Sequence, residues 1–506
     1  MVAPIHDSTS VASRTVVGAS WMIAWRFVTR GLGFISTIIL ARLLVPADFG
    51  IVAVASAFAS GIDALSELGL QAALVRQADD DPSLYDTAFT LQAARGLITG
   101  VILATGAWGA GYLFADPRLT TVLFVLAGVA AIGGFDNIAV VRFQRELRFD
   151  MEFRLLFLPR ILQFVAATTA AFTLRSYWAL VIGIVVGRLS RTFVTYWFQP
   201  YRPRLSLSRW RDLASFSLWS WASSLAYMVW NRCDAFVLGP ALGMRQLGIF
   251  MLSMEIGLLP TTELVEPATR ALYAGVAAAQ NRGTDSVGLA LPLIVALQMI
   301  VLPIGLGIST TSSYVVAGLL GPTWSAGTPV IAMFAMLIAF TPVSYICATV
   351  LNASGQVRQN FYAVAIAAPL RVACLYAVAG YHRLDWAALA ICTVVTAESF
   401  LLVFQLSRCG HLSWRDAMPG FLRTVISCST VAIVLKLTGL GWHNTDLPSL
   451  EAIVTGGIIG GACIAACIAL QMTLWTSVGR PAGPEATFLR LAGSVRVGLR
   501  RKPGLA

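Results

Sequence analysis

The sequence predicts an all-α integral membrane protein with about 14 transmembrane helices in two pseudo-symmetric bundles around a central cavity. Of its 506 residues, 57% are hydrophobic and only 12% are charged, whereas about 25% of the residues of a soluble protein are charged. Hydrophobic segments of roughly 20 residues or more, the length that spans ~30 Å of hydrocarbon, recur from end to end. The predicted spans are residues 15–44, 46–75, 84–114, 118–142, 154–174, 177–198, 212–238, 245–272, 286–311, 326–352, 360–380, 384–407, 421–440 and 449–476.

These spans predict a domain order. We expect a cytoplasmic N-terminal tail over 1–14, a six-helix bundle over 15–198, a cytoplasmic linker over 199–211, a second six-helix bundle over 212–407, two additional helices with their preceding loop over 408–476, and a basic cytoplasmic tail over 477–506. The linker is rich in Pro and Arg, which is typical of a hinge. The tail is expected to be solvated or associated with lipid headgroups.

Basic residues predict the orientation. With the N-terminus in the cytoplasm, 21 Arg and Lys residues lie in the inside loops and tails or at the adjoining span ends, and 5 lie in the outside loops or at their span ends. This satisfies the positive-inside rule with both termini cytoplasmic. The net charge of +11 therefore indicates topology and attraction to anionic lipids, not nucleic-acid binding. The N-terminus lacks the pattern of a cleaved signal peptide.

A weak internal repeat supports the two bundles. Ile39–Ile51 aligns without gaps to Val237–Ile249 at an offset of 198 residues. The identical pairs are Leu40/Leu238, Leu44/Leu242, Gly50/Gly248 and Ile51/Ile249. Each stretch joins the first two helices of a bundle. Parallel repeats related by an axis along the membrane normal are a transporter arrangement.

A polar line marks the second predicted helix. Ser56, Ser60, Asp63 and Glu67 are spaced by four, three and four residues, so they share one helical face. Carboxylates inside a membrane span are costly and suggest a functional site. This helix therefore provides the first candidate wall of a cavity.

Counting residues from the turns predicts charged pairs at matching depth. About a turn near Val45, Arg30 lies 15 residues before and Asp63 18 after, while Arg26 lies 19 before and Glu67 22 after. At ~1.5 Å per residue each pair is level within about one turn. We therefore expect Arg30–Asp63 and Arg26–Glu67 contacts near mid-membrane.

The same count about Gly243 places Arg232, 11 residues before, level with Glu255, 12 after. On a helical wheel Glu255, Glu266 and Arg270 then share one face, with Glu263 beside it. Further charges inside the predicted spans are Arg95, Asp136, Arg160, Arg188, Arg191, Asp234, Arg371, Glu398 and Lys436. Any single pair is explained equally well as a structural ion pair with no ligand role. The whole set favours a cavity, since each ionisable group is costly in the membrane unless hydrated or paired.

Searches for catalytic and metal-binding motifs find none. The sequence contains no GxGxxG, Walker or HExxH pattern, and its 4 histidines do not cluster. Nearly all of the 8 cysteines lie in hydrophobic segments, which is typical of small buried hydrophobic side chains. We therefore expect no enzyme activity, no catalytic residues, no metal and no cofactor, with H⁺ or Na⁺ coupling left open.

Four stretches support a family resemblance: LARLLVPADFGIVAVA (Leu40–Ala55), LGLQAALVRQ (Leu68–Gln77), FQRELRF (Phe143–Phe149) and DAFVLGPALGMRQLGIF (Asp234–Phe250). In order and spacing they resemble the bacterial polysaccharide flippases, the Wzx-type translocases of lipid-linked oligosaccharides. Their superfamily also holds the multidrug and toxin extruders and the lipid II flippase. The second half matches mainly in hydropathy.

The resemblance implies a two-lobe fold, like that of the multidrug and toxin extruders, with a central cationic cavity. Members move undecaprenyl-diphosphate-linked oligosaccharide repeat units from the inner to the outer face of the cytoplasmic membrane, for O-antigen, capsule or exopolysaccharide biosynthesis. Family members use charged groups of helices 1, 2, 7 and 8. By position in the fold these groups map onto Arg26, Arg30, Asp63, Glu67, Arg232, Glu255 and Arg270.

The combined interpretation is a flippase working by alternating access. The predicted substrate-binding residues are Arg26, Arg30, Arg95, Arg232 and Arg270, and the predicted coupling or cavity acids are Asp63, Glu67, Asp234, Glu255 and Glu266. Expected partners are the lipid-linked oligosaccharide, membrane lipids, and a polysaccharide polymerase with its chain-length machinery.

Two alternatives remain open. A drug or metabolite cation antiporter of the same fold would share the acids, but the arginine-rich set of charges argues against it. A membrane enzyme such as a polymerase or ligase would need a sizeable outside loop. The outside loops are short and hold 5 arginines in total, which disfavours this class.

Overall fold

The computed structural model describes residues 29–65, 74, 81–146, 148–210, 218–281, 288, 290–337, 339–409, 414–443, 445, 447–481 and 485–486. Within these ranges all regular elements are helices, and no strand occurs.

The helices follow one another through short connections. In chain order they are α1 (29–43), α2 (Pro46–Leu65), α3 (Pro82–Leu113), α4 (Pro117–Gly133), a 3₁₀ turn (Ile138–Val140), α5 (Val141–Arg145), α6 (Phe149–Leu174), α7 (Trp178–Phe198), α8 (Leu218–Gly257), a π-helix (Thr261–Val265) and α9 (Glu266–Asn281). There follow α10 (Ala290–Thr310), α11 (Ser312–Val315), a second π-helix (Val316–Leu320), a 3₁₀ helix (Pro322–Gly327), α12 (Thr328–Leu337), α13 (Thr341–Ala353), α14 (Val357–Ala379), α15 (Leu384–Ser407), α16 (Trp414–Leu437) and α17 (Ser449–Ser477).

The described helices confirm the predicted all-α membrane fold. Ten of them are long and apolar enough to cross a membrane. The pair Pro322–Leu337 and Thr341–Ala353, bent by 47°, makes eleven if it counts as one span. The total of 14 spans stays a prediction.

Packing divides the chain into two compact units, Met1–Gly248 and Ile249–Ala506. The domain boundaries expected from the sequence remain predictions.

Proline and aspartate define helix starts in the first unit. Pro82 and Pro117 begin α3 and α4, where the missing N–H costs no helical hydrogen bond. Asp81 accepts a hydrogen bond from the Ser83 N–H, and Asp116 does the same for the N–H two residues after it. Capping by a carboxylate satisfies donors that the first helical turn leaves unpaired.

Small residues bring the helices of the first unit close together. A Cβ on Gly96 of α3 would lie 2.6 Å from the Cα of Gly134, just beyond α4. Likewise a Cβ on Gly183 of α7 would lie 2.7 Å from the Ala167 Cβ of α6. Close approach through small residues is the usual way in which membrane helices associate.

The second unit is built around the very apolar helix α10. One buried cluster joins Leu302 and Leu306 of α10 to Cys428, Cys463 and Cys467 of α16 and α17. Elsewhere in this unit Cys347 is buried among aliphatic side chains. These cysteines act as small hydrophobic side chains, as expected from the sequence, and all 8 are free thiols.

One described residue of the C-terminal tail is buried, and the expectation for the tail as a whole stays a prediction. Glu485 is fully buried, and its Oε1 accepts a hydrogen bond from the Arg423 Nε–H at 2.9 Å and lies 2.9 Å from Arg423 Nη2. The preceding turn is held by the Trp475 indole N–H, which donates to the Pro481 carbonyl at 3.0 Å. The physical reason is charge pairing across the unit: Glu485, the single acid of residues 477–506, pairs with the buried arginine of α16.

Candidate functional site

The turn between α1 and α2 is closed by its own aspartate. The Asp48 N–H donates to the Val45 carbonyl at 3.0 Å, and the Val45 N–H points back to the Asp48 carboxylate at 3.4 Å. Pro46 is the first residue of α2. The predicted tight turn followed by a second helix is therefore present.

The corresponding turn of the repeat lies inside α8. Gly243 has φ 78° and ψ 164°, a conformation that favours glycine, and breaks the helix there. This break falls within the turn expected between the seventh and eighth spans. The repeated feature is thus a helix, a break and a second helix in both places.

The polar line of α2 is partly used within its own helix and partly across to α3. Ser60 Oγ donates to the Ser56 carbonyl at 2.7 Å. The Asp63 carboxylate lies 3.7 Å from the Arg95 guanidinium, with 51% and 31% of the two side chains exposed. The structure therefore joins a predicted cavity acid to a predicted substrate-binding arginine.

Sequence reasoning missed this pair, although a usable signal was present. Asp63 lies 18 residues before Asp81, at the start of α3, and Arg95 lies 14 after it. That difference of four residues is about one helical turn. The same depth count, taken from Asp81, places the two residues level.

The pairs expected around the first turn stay predictions. Arg30 is exposed on α1, and its contact with Asp63 is not tested. Arg26 and Glu67 lie outside the described residues. The Arg232–Glu255 pair would join residues of the two units, so it also stays a prediction.

Two charges on α8 lie in different environments in the first unit. Arg232 is exposed, whereas Asp234 is 1% exposed. Cys233 directs its thiol toward the Asp234 carboxylate at 3.6 Å. Arg232 is therefore the more accessible of the two to a ligand.

The charges after α8 follow an irregular helix. Glu255 and Arg270 are exposed, and Glu263 and Glu266 are half-buried. The π-helix Thr261–Val265 contains Glu263 and separates Glu255 from Glu266 and Arg270. Because a π-helix adds a residue to its turn, a regular wheel does not hold across it, and the common face stays a prediction.

A third group of charges forms a structural cluster between α4 and α7. The Asp136 carboxylate lies 3.5 Å from both Arg188 and Arg191 and accepts a hydrogen bond from the Thr192 hydroxyl at 2.6 Å. Gly133 leaves room for the Arg188 guanidinium, since a Cβ there would overlap it. This arrangement fits a structural ion-pair cluster that connects helices better than it fits a substrate cavity.

Hydrogen bonds dock the segment after α7 on the start of α3. The Tyr201 hydroxyl donates to Asp86 at 2.6 Å, and the Arg204 N–H donates to the same carboxylate at 2.7 Å. Arg209 forms an ion pair with Asp81 at 2.9 Å. Burial, followed by the hydrogen bond to Asp86, raises the pKa of Tyr201. These contacts join residues far apart in sequence, and no local pattern announces them.

Metal chemistry finds no support among the described residues. They contain no group of three or more His, Cys, Asp or Glu side chains able to hold a metal ion.

The helices and their intramembrane charges define a multi-pass membrane protein. The family model described as "Polysaccharide biosynthesis protein" matches residues 39–329, which is more than half of the chain. The chain belongs to this family of polysaccharide biosynthesis proteins. The resemblance inferred from the sequence is thereby confirmed.

Two curated relatives match at similar levels. Over 361 residues the chain is 22% identical to the lipopolysaccharide biosynthesis protein WzxC of Escherichia coli, covering 70% of this chain and 72% of the relative. Over 331 residues it is 23% identical to the succinoglycan biosynthesis transport protein ExoT of Rhizobium meliloti, covering 65% and 67%.

Two solved structures share the fold. The lipid II flippase MurJ in an inward closed conformation superimposes with a TM-score of 0.72 over 90% of this chain and 98% of its own, at 12% identity. An inward-facing multidrug resistance MATE family transporter gives 0.57 over 74% and 93%, at 16% identity. The predicted extruder-like fold is therefore confirmed.

Proposed function

We propose that the protein is a flippase that translocates undecaprenyl-diphosphate-linked oligosaccharide repeat units across the bacterial cytoplasmic membrane by alternating access. Its product would enter O-antigen, capsule or exopolysaccharide biosynthesis. The observation that carries the proposal is the family match, which covers α2 to α11 and most of the intramembrane charges. The fold shared with the lipid II flippase is consistent with it.

The proposed chemistry assigns the arginines to the anionic part of the substrate. A guanidinium offers a planar set of donors that matches phosphate or carboxylate oxygens. Arg30, Arg95, Arg232 and Arg270 are each exposed or half-exposed, so a ligand can reach them. Arg26 completes the proposed set from outside the described residues.

The acids have two proposed roles. Asp63, 3.7 Å from Arg95, orients that arginine when no substrate is bound and releases it when a diphosphate competes. Asp63 and the other proposed acids, Glu67, Asp234, Glu255 and Glu266, are also where a coupling H⁺ or Na⁺ would bind.

The proposed setting is the inner membrane with both termini in the cytoplasm, as the distribution of basic residues favours. The lipid tail of the substrate would stay in the bilayer while the sugar passes through the protein. A polymerase and its chain-length machinery would take up the product on the outer face. The proposal requires no catalytic step.

A drug or metabolite cation antiporter is the second candidate, and the MATE-like fold favours it. The two functions differ in what the arginines do. A flippase needs them for an anionic substrate, whereas an antiporter for cations depends on the acids and is hindered by neighbouring positive charge.

The deciding experiment is complementation of a deletion strain. Arg30→Ala and Arg270→Ala should each abolish surface polysaccharide, because the diphosphate loses a guanidinium, while membrane levels stay normal. Arg154→Ala, at an exposed arginine of α6 outside the four family stretches, is the control. Normal export by both variants would contradict the site, and normal polysaccharide in the deletion strain with altered drug resistance would favour the antiporter.

A further inference from the structure

A half-open cavity of about 180 Å³ lies in the first unit, among α1, α2, α6 and α7, and the Arg160 side chain that lines it is exposed. Most of its thirteen lining residues are apolar or glycine, and none is acidic. Its polar lining comes from Ser36 and Thr37 of α1 and from Arg160 and Gln163 of α6. The cavity is separate from the Asp63–Arg95 pair, neither member of which lines it.

Arg160 occupies an unusual depth for a charge. It lies 11 residues after Phe149 and 14 before Leu174 in the 26-residue helix α6. At ~1.5 Å per residue these distances are about 16 Å and 21 Å, so the residue is near the middle of the span. A charge at that depth is costly unless it is paired or hydrated.

The described residues supply Arg160 with no counter-ion. One of its N–H groups donates to the Gln163 side-chain oxygen over a long 3.4 Å, and no carboxylate lies within ion-pair distance of it. By contrast, Arg95, Arg188, Arg191 and Arg423 each have a carboxylate within 4.0 Å. At the cavity, the positive charge of Arg160 is thus not balanced by any carboxylate of the described residues.

Helix α1, which faces Arg160 across the cavity, leaves space for the guanidinium and for a ligand bound to it. A Cβ on Gly33 would lie 3.2 Å from an Arg160 terminal nitrogen, so glycine keeps that approach open. Ser36 and Thr37 follow one turn later on the same face of α1. Within the described part of the chain, neither hydroxyl makes a hydrogen bond.

The cavity therefore offers one positive charge, the remaining guanidinium N–H groups, two hydroxyls and the Gln163 amide as donors. Such a set matches the oxygens of a phosphoryl group, which accept several charge-assisted hydrogen bonds at once. A neutral sugar would leave the charge uncompensated, and a cation would be repelled.

We propose that this cavity, lined by Ser36, Thr37, Arg160 and Gln163, binds the phosphoryl group of a lipid phosphate ester halfway across the membrane. Two sources carry this chemistry: the diphosphate of a polyprenyl-linked substrate, which rests on the proposed function, and the headgroup of an anionic phospholipid, which does not. In the first case the cavity binds the diphosphate at an intermediate depth during its passage across the membrane.

The test measures arginine modification on the full-length protein in phosphatidylcholine nanodiscs. Phenylglyoxal reacts with accessible guanidinium groups, and peptide mass spectrometry reads each arginine separately. Adding a polyprenyl diphosphate, or replacing part of the lipid by phosphatidylglycerol, should slow modification of Arg160 several-fold. Arg154, exposed on the same helix and not lining the cavity, is the internal control and should not change.

The outcomes separate the sources and the proposals. Protection by the polyprenyl diphosphate alone identifies the substrate, and protection by phosphatidylglycerol alone identifies the phospholipid. Equal modification of Arg160 under all conditions, or equal protection of Arg154, overturns the site. Because the measurement needs no transport, its failure is distinct from a failure of polysaccharide export.

A variant tests the hydroxyl donors without touching the charge. In the Ser36→Ala/Thr37→Val double variant, Arg160 stays modifiable but its protection by the effective lipid should fall several-fold. Unchanged protection of Arg160 would show that the two α1 hydroxyls do not contribute to binding.

Discussion

Gly50 and Gly248 make reciprocal backbone contacts. A Cβ on Gly50 would overlap the Met244 carbonyl oxygen, and a Cβ on Gly248 would overlap the Pro46 carbonyl oxygen. The repeat offset of 198 residues relates both pairs, since 248 − 50 and 244 − 46 each equal 198. The two repeated turns therefore pack against each other in an isologous manner, as the surfaces of a two-fold dimer do.

Gly50→Ala is predicted to destabilise the protein despite alanine's better helix propensity. Alanine is favoured over glycine by about 1 kcal/mol inside a helix, but here its methyl group meets backbone that cannot rotate away, at a cost of roughly 1–3 kcal/mol. The net change should lower the thermal unfolding temperature of the purified protein.

Gly109→Ala in α3 is the matched control, because its Cβ would meet nothing within 4 Å. That variant should be unchanged or slightly more stable. Equal stability of Gly50→Ala and Gly109→Ala would show that the two turns are not in tight contact.

Asp63→Asn and Arg95→Gln are predicted to separate transport from stability. Because both side chains are partly exposed, their coupling in a double-mutant cycle should be below about 1 kcal/mol. Polysaccharide export should nevertheless fall strongly in each single variant, since Arg95→Gln removes the proposed donor and Asp63→Asn removes the group that orients it. Export losses that simply follow unfolding temperature would assign the pair a structural role instead.

Arg423→Gln and Glu485→Gln are predicted to be strongly destabilising. Breaking a buried pair leaves one charge without compensation, which costs roughly 3–5 kcal/mol, and here the two side chains are 10% and 0% exposed. Glu451→Gln, at an exposed position at the start of α17, should have little effect on thermal unfolding.

The double variant Arg423→Leu/Glu485→Leu should recover much of that stability, because both charges are then absent. A chain ending at residue 484 should behave like Glu485→Gln. If the truncated chain is as stable as the full one, the tail is not anchored by this pair.

The docked segment after α7 predicts a protease phenotype. Trypsin should cut at Arg204 and Arg209 several-fold faster in Asp86→Asn or Tyr201→Phe than in the unmodified protein, because the segment loses its anchor on α3. Asp150→Asn, exposed at the start of α6, provides the control. Identical cleavage rates in all four proteins would show that docking does not protect the segment.

The pH dependence of this docking follows from Asp81. Hydrogen bonds from the Ser83 hydroxyl and N–H, and then Arg209, hold the pKa of Asp81 below its ordinary value of 3.8. A lowered pKa in the folded state means that the contribution is complete above 3.8 and is lost as the pH falls further. Protection from an acid-active protease should therefore decline below that value, and Asp81→Asn should remove the part of the decline that comes from the Arg209 ion pair.

The membrane class, the helix-turn-helix repeat and the family all followed from local pattern. Hydropathy over a span depends only on composition. A glycine at a fixed place in a repeated turn can be recognised from the sequence alone. Counting residues from Val45 likewise predicts two charged levels, because depth along a helix is proportional to residue number.

Which helix a charge faces was decided by tertiary packing. Asp63 is joined to Arg95 of α3 at 3.7 Å, a contact that depth alone does not select, because rotation about the helix axis and neighbour order are set by packing across the unit. The burial of Glu485 against Arg423, and the reciprocal approach of Gly50 and Gly248, also join residues distant in sequence. Such contacts carry no periodic signal, so only the folded chain reveals them.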